Sequence, residues 1–225
     1  MKTFIAVPSM DTLPALFCQS LALLQREGDT RIGFEVGSLV YNARNNLARE
    51  AIREEADQVL WLDSDMVFSP DLLLRMTKVR QENNIDFLTA ICFRRKPPYT
   101  PCLFDRLEKT EKGASYTSIM SVPEGRFKVG GCGFAGVLMG TDVLLSVSAK
   151  FDGRMFDPLP GFGEDVSFCW RARQCGYDIW CDADIELGHV GSCVVTRGYF
   201  EAFNGGDQHD AGSGETGETD PDGGF

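Results

Sequence analysis

Two aspartates separated by a single residue offer the clearest candidate chemistry in the chain. Asp63 and Asp65 directly follow the apolar run 59–62. Carboxylates this close repel each other and raise each other's pKa unless a cation lies between them. Hard oxygen ligands of this kind suit Mg²⁺ or Mn²⁺. The pair is a candidate metal site, although the same spacing at 182–184 and 220–222 means that context, rather than spacing, has to identify it.

A second acidic pair stands at a predicted helix start. Glu164 and Asp165 follow the loop 156–163, rich in proline and glycine, and precede apolar residues at helical spacing that end at Gly176. Acidic residues in the first turn of a helix stabilise its dipole. That role accounts for one of these carboxylates more readily than for both.

Three basic positions are candidates for binding an anion. Arg44 falls on or beside the apolar face of a helix predicted over 38–55, where it either meets an anion or extends to solvent or to a nearby acid. Arg94 and Arg95 end a predicted strand, and the following Pro97 begins a pair of prolines that stiffens the loop. The stiff loop favours a functional role for at least one arginine over a solvated cluster.

A histidine is the remaining candidate. His189 lies between glycines at 188 and 191, which permit close approach of the backbone to another group. Histidine can join oxygen ligands on manganese, whereas a lone histidine more often has a structural role. The glycine-rich run 129–140 leads into an apolar strand, so it does not match the phosphate loop that follows a strand and opens a helix.

Composition limits the classes of function. The chain has 225 residues, a formal net charge of −11, 43% hydrophobic and 24% charged residues. One sizeable core is expected, and the acidic balance argues against non-specific binding to nucleic acid or anionic membranes. No apolar run approaches the roughly 20 residues of a membrane span. Eight cysteines without a C-x-x-C motif favour reduced core thiols, and the whole pattern predicts a cytoplasmic protein.

The elements that position these residues alternate between strand and helix. Right-handed crossovers join such units into an α/β sheet of the nucleotide-binding type, with ligands at the carboxyl ends of the strands. Farther along, the polar region 105–113 predicts an exposed excursion, followed by a hairpin of 116–122 with 126–129. Residues 204–225 predict a disordered acidic tail. The early predictions are strands over 4–7, 32–36, 59–62 and 87–93 and helices starting near 11, 38 and 69.

Four motifs in a fixed order resemble the GT-A-fold glycosyltransferases. These are Ala43-Arg44-Asn45, Asp63-Ser64-Asp65, Gly163-Glu164-Asp165 and Gly188-His189. The family-2 type group, with its small bacterial and phage-like members, is the nearest in kind, and the resemblance covers most of residues 3–200. It implies a single α/β domain over 1–203 with the GT-A fold, a Rossmann-like mixed central sheet flanked by helices.

The resemblance also assigns roles to residues. It implies that Asp63, Asp65 and His189 hold Mn²⁺ or Mg²⁺ on the diphosphate of a nucleotide sugar, and that Glu164 or Asp165 is the general base or acceptor anchor. The residues that it places around the donor are Pro8, Ser9, Arg44, Asn45, Asp63, Ser64 and Arg94.

The expected activity is metal-dependent transfer of a sugar from a nucleotide-diphosphate sugar to an acceptor hydroxyl. A UDP-sugar is the favoured donor, and the acceptor is a saccharide or another hydroxyl compound. If Asp165 is the general base, the transfer inverts the configuration of the anomeric carbon, while a retaining mechanism stays open. One alternative is a sugar-phosphate nucleotidyltransferase, whose glycine- and lysine-containing loop is absent at 8–11. The other is a non-catalytic nucleotide-sugar or glycan-binding module, against which the intact acidic set speaks.

Overall fold

A computed structural model describes residues 1–110, 113–191 and 194–205. The alternation of strands and helices predicted for the first half of the chain is confirmed. In chain order the elements are β1 (Lys2–Ser9), α1 (Ala15–Leu23), β2 (Asp29–Val36), α2 (Val40–Arg53), β3 (Gln58–Leu62), β4 (Met66–Val67), α3 (Leu72–Glu82), β5 (Phe87–Ile91), β6 (Leu103–Thr110), β7 (Gly113–Ser118), β8 (Arg126–Val129), β9 (Gly131–Cys132), β10 (Gly136–Gly140), α4 (Thr141–Lys150), α5 (Glu164–Gln174), β11 (Ile179–Glu186), β12 (Gly188–Val190), β13 (Val194–Val195) and α6 (Arg197–Gly205).

The central sheet has seven strands in the order β2-β1-β3-β10-β5-β11-β8. β1 lies parallel to β2 and β3, and β11 lies parallel to β5. β10 runs antiparallel between β3 and β5, and β8 pairs antiparallel with β11 at the edge. Every residue of β3, β5 and β10 is buried, which explains their nearly continuous apolar sequence. The predicted α/β class with a mixed sheet is confirmed.

Helices cover both faces of this sheet. Adjacent residues of β3 point to opposite faces, so Trp61 joins the core under α2, α4 and α5, and Leu60 joins the core under α1 and α3. The first core is rich in aromatic rings. Phe156 stacks on Phe168 with ring centroids 4.4 Å apart, and the ring centroids of Trp61 and Phe156 are 5.0 Å apart. These contacts fix α5 against the sheet beside β3.

Two smaller sheets complete the described chain, in the orders β13-β12-β4 and β7-β6-β9. In the first of them His189 of β12 pairs with Met66 of β4. The N–H of Val190 also donates to the backbone carbonyl of Asp65 at 2.8 Å. This pairing brings His189 next to Asp65, although the two are far apart in sequence.

The structure corrects the predicted excursion and hairpin. Residues 103–110 form β6, whose hairpin partner is β7, and residues 126–129 form β8, which pairs with β11. The polar composition concealed a strand because Leu103, Phe104 and Leu107 are buried while its charged residues face outward. The second D-x-D spacing, at 182–184, lies within one strand, β11.

The end of the chain differs in one detail from its prediction. α6 runs to Gly205, so residues 204 and 205 are helical rather than part of a tail. The rest of the predicted tail, 206–225, lies outside the described residues. Among the helices that are described, none is long and apolar enough to cross a membrane.

Candidate active site

A cavity of about 640 Å³ opens at the carboxyl ends of β1 and β3. Carboxyl ends of the strands are where open α/β sheets bind ligands. Four acidic, two basic and one histidine side chain line it. The full set of lining residues is Pro8, Ser9, Met10, Thr12, Leu13, Pro14, Ser38, Val40, Ala43, Arg44, Asp63, Ser64, Asp65, Arg95, Cys102, Gly133, Phe134, Ala135, Glu164, Asp165 and His189.

Arg44 organises the buried half of this cavity. It lies on the inward face of α2 and is only 2% exposed. Its Nη2 donates to Asp63 Oδ1 at 2.9 Å, and its Nε lies 3.0 Å from Asp165 Oδ1 and 3.7 Å from Glu164 Oε1. The guanidinium also lies 5.2 Å from the centre of the Phe134 ring. One cation therefore joins the end of β3 to the start of α5.

The charges around Arg44 do not balance, because three carboxylates share one guanidinium. Burial raises the pKa of Asp165 well above its usual value, and the charge of Arg44 only partly opposes this effect. Burial also raises the pKa of Asp63, with Arg44 opposing and Asp65 adding to the rise. Burial disfavours the charged form of Arg44, but Asp165 and then Asp63 outweigh it and raise its pKa. A further proton or a bound cation would offset the excess negative charge of these three carboxylates.

The two oxygens of Asp165 have different partners. Its Oδ2 accepts a hydrogen bond from the N–H of Phe134 at 3.2 Å. Its Oδ1 is buried 3.0 Å from Arg44 Nε but accepts no hydrogen bond from any residue that the structure describes. Asp165 is therefore fixed at the cavity wall by one backbone hydrogen bond and one ion pair.

The second half of the cavity is built on Asp65. Its Oδ2 accepts a hydrogen bond from Arg95 Nη1 at 2.8 Å and lies 3.1 Å from His189 Nε2. His189 Nδ1 lies 2.9 Å from the carbonyl oxygen of Phe93, so Nδ1 donates an N–H to it, and Nε2 likewise faces an acceptor in the Asp65 carboxylate. Burial lowers the pKa of His189, but the hydrogen bond to Asp65, the charge of Asp65 and the hydrogen bond to Phe93 together outweigh burial and raise that pKa overall. Burial likewise opposes ionisation of Asp65, yet His189 and Arg95 hold its pKa below the usual value.

The donor atoms in this half fit a divalent cation. A ligand histidine typically donates one ring N–H to a carbonyl and turns the other nitrogen to the metal. His189 donates from Nδ1 to Phe93 in this way, and its Nε2, which now faces Asp65, would become the metal-binding nitrogen once it loses its proton. Carboxylate oxygens beside it suit Mn²⁺ or Mg²⁺. Within residues 1–110, 113–191 and 194–205, no group of three or more His, Cys, Asp or Glu side chains is already arranged around a common point. Asp63 is instead turned to Arg44, and Asp65 is paired with Arg95.

Two predicted site residues do not line the cavity. Asn45 donates from Nδ2 to Asp157 at 2.8 Å and accepts the N–H of Phe156 at 3.0 Å, so both ends of its amide hold the loop before α5. Arg94 is half-buried away from the cavity, and its neighbour Arg95 reaches in. Side chains of neighbouring residues in an extended segment point in opposite directions, so Arg95 rather than Arg94 enters the cavity. The predicted residues that do come together are Pro8, Ser9, Arg44, Asp63, Ser64, Asp65, Glu164, Asp165 and His189.

Several lining residues had no predicted role. Ser38 stands just before α2, which begins at Val40, and its hydroxyl is buried without a hydrogen-bond partner among the described residues. Gly133 lies in the glycine-rich run, where an added Cβ would lie 3.4 Å from Cys102 Cβ and 3.8 Å from Asp165 Oδ2. Nothing in the sequence marked Cys102 or the segment 12–14 as part of a site.

No protein-family model matches this chain, and no curated protein matches it. Solved structures do. A197 from STIV superposes with a TM-score of 0.61 at 16% identity over 85% of this chain and 86% of that one. GalNAc-T7, solved with UDP, GalNAc and Mn²⁺, superposes with a TM-score of 0.55 at 6% identity over 84% of this chain and 44% of that one. The chain has the GT-A fold of the nucleotide-diphospho-sugar transferases.

Proposed function

We propose that this protein is a metal-dependent glycosyltransferase that moves a sugar from a nucleotide-diphosphate sugar to an acceptor hydroxyl. The carrying observation is the convergence of Asp63, Asp65, His189, Glu164 and Asp165 on one cavity at the carboxyl ends of the strands. The likeness to GalNAc-T7, a structure with UDP, GalNAc and Mn²⁺, supports a UDP-sugar donor.

The nucleoside takes the part of the cavity formed by the connections that follow β1 and β2. Pro8 and Ser9 end β1, the segment 12–14 leads into α1, and Ser38 precedes α2. These residues are uncharged, as suits a base and a ribose. The buried Ser38 hydroxyl provides a polar atom that the protein itself leaves unpaired. A base or ribose that hydrogen-bonds to it satisfies both groups.

Asp63, Asp65 and His189 would hold the Mn²⁺ or Mg²⁺ ion. When bound, the ion supplies Lewis-acid stabilisation of the charge that develops on the leaving nucleoside diphosphate. Arg44 keeps the Asp63 carboxylate at the edge of the cavity through the 2.9 Å hydrogen bond. Arg95 contacts Asp65 at the cavity and becomes a partner for the diphosphate once it leaves that carboxylate.

Asp165 is the proposed general base. Its carboxylate, which lines the cavity, takes the proton of the acceptor hydroxyl as that oxygen attacks the sugar. Because burial raises the pKa of Asp165, its carboxylate holds a proton more firmly than an exposed aspartate does. Glu164, beside it at the start of α5, anchors the acceptor. Direct attack with base assistance from Asp165 inverts the anomeric centre.

Hydrolysis and transfer assays on the full chain test this proposal. A panel of UDP-sugars with Mn²⁺ or Mg²⁺ is expected to release UDP slowly, and faster with an acceptor that fits. Asp65→Ala is expected to abolish this release. Asp184→Ala is the matched control, because Asp184 has the same D-x-D spacing but is exposed on β11 outside the cavity.

Other outcomes identify the alternatives. Release of pyrophosphate from a nucleoside triphosphate and a sugar phosphate would mean nucleotidyl transfer. Tight nucleotide-sugar binding without hydrolysis or transfer over the whole panel would mean a binding module. Either result contradicts the proposed reaction.

A further inference from the structure

Cys92 and Cys102 face each other beside the cavity. Phe93 and Pro101 form an antiparallel bridge, and the next residues outward are the two cysteines. The N–H of Cys102 donates to the carbonyl oxygen of Cys92 at 2.9 Å. Directly opposite residues of an antiparallel pair place their side chains on the same face, with Cβ atoms about 4.5–5.5 Å apart. Both thiols are free in this structure.

Access distinguishes this pair from a second one. Cys132 and Cys169 also contact each other, with the N–H of Cys132 3.4 Å from Cys169 Sγ, but both are 0% exposed and neither lines the cavity. Cys102 is 7% exposed and lines the cavity, while Cys92 behind it is 4% exposed. A small reagent that enters the cavity therefore reaches Cys102 first.

The position of each thiol assigns its role. Cys102 lines the cavity, and Cys92 lies behind it. A thiolate is the nucleophilic form of cysteine. Cys102 is therefore the sulfur that attacks a reagent in the cavity, and Cys92 is the sulfur that completes the disulfide.

We propose that Cys92 and Cys102 are a dithiol oxidation site that hydrogen peroxide reaches through the cavity. The Cys102 thiolate attacks the peroxide, an S–O bond forms, the O–O bond breaks, and the released hydroxide takes up a proton to give water. Cys92 sulfur then attacks Cys102 sulfur, the S–S bond forms, the S–O bond breaks, and the second oxygen leaves as water with the Cys92 proton. Two thiols are oxidised by two electrons, and one peroxide is reduced to two waters.

The disulfide would close a ring around residues 93–101. That segment contains Arg95, which contacts Asp65, and Phe93, whose carbonyl binds His189. Oxidation is thus expected to restrict the arginine that must leave Asp65 before a cation and a diphosphate bind. This consequence, unlike the oxidation itself, rests on the proposed function.

Mass spectrometry of the full chain tests the oxidation site without any substrate. After graded hydrogen peroxide and alkylation, trypsin gives Cys92 in the peptide 81–94 and Cys102 in 96–106. We expect these peptides to become linked at least about ten-fold faster than those of Cys132 and Cys169, since thiol access controls the rate. Cys92→Ser is expected to stop the reaction at a sulfenic acid on Cys102, which dimedone traps.

The results that would overturn the proposal are equally definite. They are no linkage before unfolding, equal linkage in both cysteine pairs, or oxidation of Cys102 beyond sulfenic acid in the unsubstituted chain while Cys92 stays reduced.

A thermal-shift measurement with UDP and Mn²⁺ tests the consequence. The shift is expected to fall on oxidation, to recover with dithiothreitol, and to persist through peroxide treatment in Cys92→Ser. A shift unchanged in fully linked protein would refute the restriction of Arg95. Absence of any shift in the reduced protein would contradict the proposed function instead, and the linkage data would still decide whether the dithiol reacts.

Discussion

The cavity has two charged halves that differ in how firmly they are held. The Arg44 half joins Asp63, Glu164 and Asp165 around a guanidinium that is 2% exposed. In the Asp65 half the arginine partner is Arg95, whose side chain is 40% exposed. Exposed pairs contribute little to stability, whereas loss of one partner of a buried pair is costly. The Arg44 half is therefore suited to holding its carboxylates in fixed positions. In the Asp65 half, Asp65 and Arg95 can separate and bind other partners.

The largest expected effect is that of Arg44→Met. The substitution leaves three carboxylates without their cation, and the free energy of unfolding should fall by roughly 3–5 kcal/mol, with loss of activity. Urea unfolding measures the change. Arg53→Met is the control, because Arg53 lies on the same helix with its side chain 72% exposed. Equal stability of the two variants would mean that the buried half is not held by Arg44.

Asp165→Asn tests whether the buried half also performs chemistry. Loss of the base should lower kcat by about two to four orders of magnitude with UDP-sugar and acceptor. The binding of UDP with Mn²⁺, measured by calorimetry, should change little. If kcat stays within a few-fold of the original value, Asp165 is not the base.

The pH dependence of the same reaction gives a second test. The base must be ionised to accept a proton, and burial raises the pKa of Asp165 well above the usual value of an aspartate. Activity should fall as pH drops through that raised pKa, so the acid limb of kcat should lie above the range of an exposed aspartate. The raised pKa also means that ionisation of Asp165 destabilises the fold as pH rises through this window. An acid limb at or below pH 3.8 would contradict the assignment.

Asn45→Ala has a smaller expected effect on the loop before α5. The N–H of Phe156 would lose its acceptor and Asp157 its donor, at a cost of about 1–3 kcal/mol in the free energy of unfolding. Because Asn45 does not line the cavity, KM for the donor should change less than kcat. A large rise in donor KM with normal stability would instead mean that Asn45 contributes to donor binding.

Arg95→Ala should have the smallest effect on stability, below about 1 kcal/mol, because its pair with Asp65 is exposed. Its effect should be on the donor instead. We expect KM for the UDP-sugar to rise while Mn²⁺ binding is kept or strengthened, since Asp65 then keeps His189 but loses its arginine partner. Arg106→Ala, on the exposed face of β6, is the control. Weakened Mn²⁺ binding in Arg95→Ala would contradict the proposal that Arg95 leaves Asp65 when the cation binds.

The fold was largely predictable because its signals are local. Continuous apolar runs identified β3 and β5, and Glu164 and Asp165 marked the start of α5. Identifying the fold from the sequence rested on the order of the four motifs, each of which is weak by itself. The strand β6 was missed because its polar residues outnumber Leu103, Phe104 and Leu107, whose burial depends on packing against the rest of the chain.

Side-chain direction limited the prediction of the site. The sequence cannot separate Arg95 from Arg94, because only the path of the loop after β5 decides which one enters the cavity. Asn45 stands next to Arg44 on α2, yet its contacts come from a loop more than a hundred residues away. Cys102 is held at the cavity by its backbone hydrogen bond to Cys92, and no sequence motif predicts this contact.

In the proposed function the Asp65 half binds a divalent cation that carries the donor diphosphate. Isothermal titration calorimetry of UDP into the full chain, with Mn²⁺ and again with EDTA, is the decisive test. We expect binding with Mn²⁺, little or none with EDTA, loss in Asp65→Ala and retention in Asp184→Ala. Equal binding of UDP with and without Mn²⁺, or unchanged binding in Asp65→Ala, would contradict it.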